Sequence, residues 1–126
     1  MRVLIVEDSA LVRKMYGLAF PQREHQLTVA EDGLKALTAL SRSQHLYDLI
    51  LLDLRMPDMD GVEFIRAVRN HRALARIPIV LTTAEPDDSE LMRQAKALGV
   101  AAIVHKPWKP QELREVVQSV LHKAVG

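Results

Sequence analysis

The 126-residue sequence contains no cysteine. It therefore forms no disulfide, has no thiol nucleophile and offers no thiolate ligand to a metal. Long apolar runs are also missing, because Glu7 and Asp8 interrupt the hydrophobic start and no stretch approaches the ~20 residues of a membrane span. The sequence predicts a cytoplasmic protein that has no membrane partner.

Neither sign of charge prevails, since 17 Lys and Arg residues face 16 Asp and Glu residues and the formal net charge is +1. A chain this close to neutral lacks the overall basic character that binds a nucleic acid backbone, so we expect no direct nucleic-acid binding. Hydrophobic residues make up 48% of the sequence and charged residues 26%, as in ordinary globular proteins. This length suits one domain, which we expect to span residues 1–126.

Short runs rich in Val, Ile and Leu alternate with longer segments of helical period, which predicts β/α units around a parallel sheet. The predicted fold class is α/β, a doubly wound five-stranded parallel sheet with helices on both faces. In the first helix Ser9 is the expected N-cap, and Leu11, Met15 and Leu18 form the expected apolar stripe. The predicted strands are residues 2–6, 27–30, 48–52, 77–82 and 101–104.

Charged and polar residues stand at the ends of four predicted strands. Glu7 and Asp8 follow the first, Asp53 closes the third, Thr83 follows the fourth and Lys106 follows the fifth. Because the carboxyl ends of parallel strands meet at one edge of a sheet, we expect these side chains to converge. Three neighbouring carboxylates repel one another, and a hard divalent cation such as Mg²⁺ relieves that repulsion. A lysine and a hydroxyl beside the cation are suited to stabilising a phosphoryl group in transfer.

The best candidate nucleophile is a carboxylate, since the sequence shows no cysteine, no evident Ser–His pair and no Gly-rich phosphate loop. Asp53 has a central place because it closes the middle strand, and it would become an aspartyl phosphate. Each residue alone also has a local interpretation. Glu7 and Asp8 could complement a helix dipole, and Lys106 could be a solvated lysine at the sheet edge.

Four segments together carry a resemblance that spans nearly the whole chain: residues 4–8 (LIVED), 51–61 (LLDLRMPDMDG), 82–84 (TTA) and 106–107 (KP). They resemble the receiver domain of bacterial two-component response regulators. The resemblance implies a (βα)₅ fold of the flavodoxin-like, CheY-like type. It also implies a phosphorylation-activated signalling switch in which Asp53 accepts a phosphoryl group from a histidine kinase. Such a domain catalyses only its own phosphorylation and autodephosphorylation.

The same resemblance implies how Mg²⁺ is held. Asp8, Asp53 and the main-chain carbonyl of Arg55 would be direct ligands, and Glu7 would act through a water molecule. In the matched pattern Asp8 is thus a direct ligand and Glu7 is not.

Further roles follow from the resemblance for the residues around the phosphoryl group. Thr83 and Lys106 would contact its oxygens, assisted by the main-chain N–H groups of Leu54 and Ala84. A cis peptide bond before Pro107 would aim Lys106 inward.

The resemblance also bears on switching and on the lifetime of the phosphorylated state. Family members commonly carry Tyr or Phe three residues before the lysine that corresponds to Lys106, and the ring rotates when the domain is phosphorylated. This sequence has Ile103 there, so the aromatic half of the switch is in question. The shift of the Thr83 hydroxyl could still operate. In receivers, the two places held here by Arg55 and Glu85 flank the path of water to the phosphorus, so the resemblance implies that these two residues set the lifetime of the phosphorylated state. Trp108 stands where Phe is frequent and is expected to anchor the last helix.

The expected partners are a sensor histidine kinase or phosphotransfer protein, and a downstream effector that binds the fourth helix, fifth strand and fifth helix. A monomer and a phosphorylation-linked dimer both fit the sequence. The sequence leaves open whether the chain is a stand-alone regulator or the receiver domain of a longer protein.

Two other functions are weighed against the switch. A Mg²⁺-dependent phosphohydrolase of small phosphoesters also uses a carboxylate nucleophile on an α/β sheet, but the haloacid dehalogenase pattern would need a second aspartate at position 55, where Arg55 stands. A pseudo-receiver would bind partners without phosphorylation, and the intact set of Asp8, Asp53, Thr83 and Lys106 argues against it.

Overall fold

The computed structural model describes residues 1–21, 23–42 and 46–125, whose strands form one five-stranded parallel sheet. The predicted doubly wound α/β fold is confirmed, and each strand lies within two residues of its predicted bounds. The strands are β1 (Arg2–Val6), β2 (Gln26–Ala30), β3 (Leu49–Leu52), β4 (Ile79–Thr83) and β5 (Ala102–His105). The helices are α1 (Ala10–Ala19), α2 (Gly33–Arg42), α3 (Gly61–Asn70), α4 (Glu90–Leu98) and α5 (Pro110–Val125).

The sheet has the strand order β2-β1-β3-β4-β5, so the chain runs outward from β1 to β2 and then returns to the other side of β1. That reversal places the topological switch point between β1 and β3, where ligands bind in open α/β sheets. Both strands end level, because Val6 pairs with Leu52. Residues that follow β1 and β3 are therefore brought together by the pairing itself.

Each face of the sheet carries its own apolar core. Side chains alternate along a strand, so Ile50 and Leu81 pack in one core with Phe64 of α3, while Leu51 and Val80 pack in the other. The residues of β3 and β4 are all buried, which explains why these strands are nearly continuous apolar runs. Within the described ranges, no helix is long and apolar enough to cross a membrane.

The first helix begins as predicted but buries a different face. Ser9 is the N-cap, and its side chain accepts a hydrogen bond from the Val12 N–H. The stripe predicted on Leu11, Met15 and Leu18 is wrong at two of its three positions, since Leu11 is 71% exposed and Leu18 67% exposed, whereas Met15 is partly buried against the core. Tyr16 and the neighbouring helix positions 12 and 19 point inward instead. Helical period fixes the spacing of a stripe, but the packing of the large Tyr16 ring decides which face is buried.

Two glycines are required by the backbone. Gly61 begins α3 so close to the end of β3 that a Cβ atom there would lie 2.7 Å from the Leu54 Cα atom. Its N–H donates to the Leu54 carbonyl, which closes the loop after β3. Gly99 caps α4 with a φ of 96°, a left-handed conformation that favours glycine at a helix C-terminus.

Candidate functional site

Three carboxylates meet at the switch point. Glu7, Asp8 and Asp53 each place an oxygen atom within 4.8 Å of the others. The strand pairing continues into these residues, since the Asp53 N–H donates to the Val6 carbonyl at 3.2 Å. Glu7 and Asp53 are buried while Asp8 is exposed, so the cluster opens to solvent on the Asp8 side.

Lys106 joins this cluster from β5. Its Nζ atom donates to Glu7 Oε1 at 2.6 Å and to Asp53 Oδ2 at 3.0 Å. The Lys106 N–H donates to the Thr83 carbonyl at 2.9 Å, which ties the residue to the end of β4. The following peptide bond, Lys106–Pro107, is cis. One ammonium group therefore bridges the acids that follow β1 and β3.

Burial and ion pairing oppose each other in this cluster. Burial raises the pKa of Glu7 above its usual value, although the hydrogen bond from Lys106 acts against the rise. For Lys106, burial acts to lower the pKa, but the hydrogen bond to Glu7 and the charge of Asp53 outweigh it and raise the pKa overall. The raised pKa of Lys106 keeps its ammonium group charged beside the carboxylates.

The donor set fits a divalent cation. Carboxylate oxygens are the ligands that Mg²⁺ prefers, and it usually keeps several waters, which suits a cluster open on one side. Three carboxylates against one ammonium group also leave an excess of negative charge for a cation to balance. Asp8, the exposed member, is the carboxylate of the cluster most accessible to a cation.

The loop after β3 folds tightly around Asp53. The Arg55 N–H donates to Asp53 Oδ1 at 3.3 Å, which holds one carboxylate oxygen toward the loop. Leu54 is fully buried, and Asp58 adopts a left-handed conformation with φ of 68°, which aspartate tolerates better than most residues. This loop leads directly into the close contact at Gly61, so the position of Asp53 is fixed from both sides.

Arg55 and Glu85 meet across the site. The Arg55 Nε–H donates to Glu85 Oε1, and the pair joins the loops after β3 and β4. The Arg55 side chain is 71% exposed while that of Glu85 is 9% exposed, so the guanidinium covers a largely buried carboxylate. The hydrogen bond from Arg55 lowers the pKa of Glu85. The Glu85 N–H in turn donates to Thr83 Oγ1 at 3.0 Å.

The two adjacent threonines at the end of β4 face opposite sides of the sheet. The Thr83 hydroxyl accepts the Glu85 N–H, on the side where β4 meets the loop that follows it. The Thr82 hydroxyl instead forms a hydrogen bond with the hydroxyl of Tyr16 in α1. Sequence reasoning missed Tyr16, whose only signal was a tyrosine at helical spacing on a helix whose buried face was assigned wrongly.

The remaining predicted positions make no side-chain hydrogen bond to the cluster among the described residues. Ala84 and Pro107 are exposed, and Ile103 is partly buried against the core on the α4 side. Trp108 is buried, and its ring packs on Tyr16 with centroids 5.0 Å apart. The side chains brought into direct contact are thus Glu7, Asp53 and Lys106 in one group and those at positions 55 and 85 in another.

Comparison with known proteins agrees with this geometry. The family model for the response regulator receiver domain matches residues 3–118. The chain is 30% identical to a chemotaxis protein CheY homolog of Campylobacter jejuni, covering 100% of this chain and 96% of that protein. It is 31% identical to the chemotaxis protein CheY of Pseudomonas aeruginosa over the full length of both. The crystal structure of the chemotaxis response regulator CheY4 of Vibrio cholerae superposes with a TM-score of 0.84 at 31% identity, covering 94% of this chain and 97% of that one.

The chain belongs to the receiver domain family of response regulators. It is accordingly a phosphorylation-activated signalling switch of two-component systems. Receiver domains interact with histidine kinases and effector domains.

Proposed function

We propose that Asp53 is the residue that is phosphorylated. Its carboxylate oxygen attacks the phosphorus of a phosphohistidine on the donor protein, a new O–P bond forms, and the bond from phosphorus to the histidine nitrogen breaks. The observation that supports this most is the position of Asp53 at the end of the central strand β3, with Lys106 Nζ 3.0 Å from Oδ2. The ammonium group stands where negative charge gathers on the transferring group.

We further propose that Mg²⁺ is bound by Asp8, by Asp53 and by the main-chain carbonyl of Arg55, with Glu7 acting through water. When bound, the cation supplies positive charge that reduces repulsion between the carboxylates and the phosphoryl oxygens. The contacts of Glu7 support its outer position, because its oxygens already accept hydrogen bonds from Lys106 Nζ and the Ser9 N–H. Asp8 is the exposed acid of the cluster, which suits a direct ligand.

Contacts to the phosphoryl oxygens are proposed for Thr83 and Lys106, together with the main-chain N–H groups of Leu54 and Ala84. Thr83 is held at the end of β4, whose neighbour β3 carries Asp53, so the threonine hydroxyl and the acceptor share one edge of the sheet. A shift of the Thr83 hydroxyl toward the phosphoryl group would release its hydrogen bond with the Glu85 N–H. That exchange is the proposed first step of switching, and the phosphorylated state ends by autodephosphorylation.

The change is proposed to reach an effector through α4, β5 and α5. Ile103 lies on this side, partly buried against the core below α4, and contributes no ring to the switch. Beryllofluoride with Mg²⁺ mimics the phosphoryl group, so amide NMR shifts on adding both should extend to residues near Arg93, Lys96, Ile103 and Arg114. Shifts confined to residues around Asp53 would contradict coupling to this surface.

The remaining expectations stand as proposals about the whole protein. The 126 residues act as one receiver domain in the cytoplasm. A sensor histidine kinase or phosphotransfer protein supplies the phosphoryl group. The active state is a monomer or a phosphorylation-linked dimer. Turnover of external phosphoesters is not proposed, because position 55 carries an arginine paired with Glu85 rather than a carboxylic acid.

The direct test is intact mass after incubation with acetyl phosphate. With Mg²⁺, the wild-type chain should gain one labile phosphoryl group, and removal of Mg²⁺ with a chelator should abolish the gain. The Asp53→Ala variant should gain no phosphoryl group. The matched control is Asp58→Asn, which removes an exposed carboxylate of the same loop and should be phosphorylated as the wild type is. An unmodified wild-type chain would support the pseudo-receiver alternative, and an equal gain in Asp53→Ala would refute the assignment of the acceptor.

A further inference from the structure

A buried hydroxyl pair lies directly behind the site. Tyr16 of α1 and Thr82 of β4 are both fully buried, and their hydroxyl groups are hydrogen-bonded to each other. The Tyr16 ring lies in the apolar core formed with Val80, Val104 and Trp108. Buried hydroxyl groups are retained in such a layer only when they are paired, so each of these two groups satisfies the other.

The two hydroxyl-bearing residues lie next to Thr83 and near Lys106, the two side chains proposed to contact the phosphoryl group. Thr82 immediately precedes Thr83, and the Tyr16 ring packs on Trp108, two residues after Lys106. The Lys106 N–H donates to the Thr83 carbonyl, so the segments that Tyr16 contacts are also joined to each other.

The protonation of Tyr16 suits a lasting hydrogen bond. Burial raises its pKa, and the negative charges of Glu7 and Asp53 raise it further, so the hydroxyl keeps its proton at every physiological pH. The hydroxyl therefore stays available as a donor whatever the charge of the site.

We infer that Tyr16 is a positioning residue for phosphoryl transfer: its hydrogen bond with Thr82 holds Thr83 in place and, through the main-chain hydrogen bond between Lys106 and Thr83, keeps Lys106 in register. The inference rests on the proposed function of Asp53 as phosphoryl acceptor. In receivers of the matched pattern the ring that reports on the switch is expected on β5, where this chain has Ile103. Here the buried ring is Tyr16 of α1, whose hydroxyl contacts Thr82 of β4.

The test compares Tyr16→Phe, Thr82→Val and the double variant. Each single variant leaves one hydroxyl buried without its partner and should be less stable than the wild type. The double variant replaces both groups with apolar side chains of nearly the same shape, so its stability should return toward that of the wild type. The double variant still lacks the hydrogen bond. A slower reaction in this variant would therefore reflect lost positioning and not lost stability.

The readout is the rate constant of phosphorylation by acetyl phosphate at saturating Mg²⁺. All three variants should be slower by about threefold to tenfold, because small displacements of contacting groups lower the rate of an oriented reaction. The double variant should be no slower than the single variants. Thr82→Ser keeps a hydroxyl at this position and should react at nearly the wild-type rate.

The outcomes separate this inference from the proposed function. If the wild-type chain forms no adduct at Asp53, the proposed function fails. If the wild type is phosphorylated and the double variant reacts at the wild-type rate, the hydroxyl pair has only a structural role and the inference about Tyr16 is overturned. Additive losses in the double variant would likewise refute a single hydrogen-bonded unit.

Discussion

Arg55 is expected to protect the phosphorylated state from water. Its side chain is 71% exposed and is paired with the largely buried carboxylate of Glu85, so it bridges the loops after β3 and β4. The Arg55 N–H also holds Asp53 Oδ1, which places the residue next to the acceptor. Replacing Arg55 with alanine removes both the ion pair and the side chain that bridges the two loops.

The ion pair alone accounts for a limited effect. Because the arginine is mostly solvated, the pair is worth ~0–1 kcal/mol, and a change of that size in a barrier alters a rate by about fivefold at most. Glu85→Ala removes the pair but keeps the arginine, so its dephosphorylation rate should rise by no more than this. Arg55→Ala should exceed it, because the route to the phosphorus is then also open.

The assay is release of labelled phosphate from protein phosphorylated with a labelled donor and freed of that donor. Arg66→Ala, which removes an exposed arginine of α3, controls for the loss of one positive charge and should behave like the wild type. An unchanged or slower rate in Arg55→Ala would show that Arg55 does not guard the phosphoryl group. Equal rates in Arg55→Ala and Glu85→Ala would reduce its role to the ion pair.

Three further predictions concern the metal, the fold and pH. Asp8→Asn should weaken Mg²⁺ binding more than Glu7→Gln, as followed by fluorescence of the single tryptophan, and equal losses would contradict the direct and water-mediated roles. Gly61→Ala should lower the free energy of unfolding by about 1–3 kcal/mol, because its Cβ would lie 2.7 Å from main chain. Gly17→Ala, whose Cβ meets nothing within 4 Å in a helix interior, should raise it by about 0.5–1 kcal/mol in the same urea titration. The hydrogen bond from its arginine partner lowers the pKa of Glu85 below the ordinary 4.5. The ionised Glu85 carboxylate therefore adds to the free energy of unfolding above pH 4.5, and this contribution is lost as the pH falls through the lowered pKa. Glu85→Gln should not show this loss in acid unfolding.

The convergence of the site could be predicted because parallel strands make it a local property. Once the apolar runs are placed, the residues that follow them share one edge of the sheet, and the structure brings Glu7, Asp53 and Lys106 into contact there. Strand bounds differ by a residue or two because the ends of strands are set by hydrogen bonding to neighbours. Thr83, for example, lies inside β4 because it pairs with His105.

The face of α1 could not be predicted, because two helix faces carry apolar residues and period alone does not choose between them. The structure buries Tyr16, whose hydroxyl finds Thr82 and whose ring finds Trp108, and leaves Leu11 and Leu18 exposed. All of these contacts are remote in sequence. A pair of hydroxyl groups in the core is visible only after the register of α1 on the sheet is known.

The central claim is that one named carboxylate carries the phosphoryl group. Borohydride reduces an acyl phosphate to an alcohol, so treatment of the phosphorylated chain should convert the acceptor aspartate to homoserine, which peptide mass spectrometry then locates. The account predicts homoserine at Asp53, dependent on Mg²⁺ and on the phosphoryl donor. Homoserine at Asp8, Asp58 or Asp60 with Asp53 unchanged would contradict it.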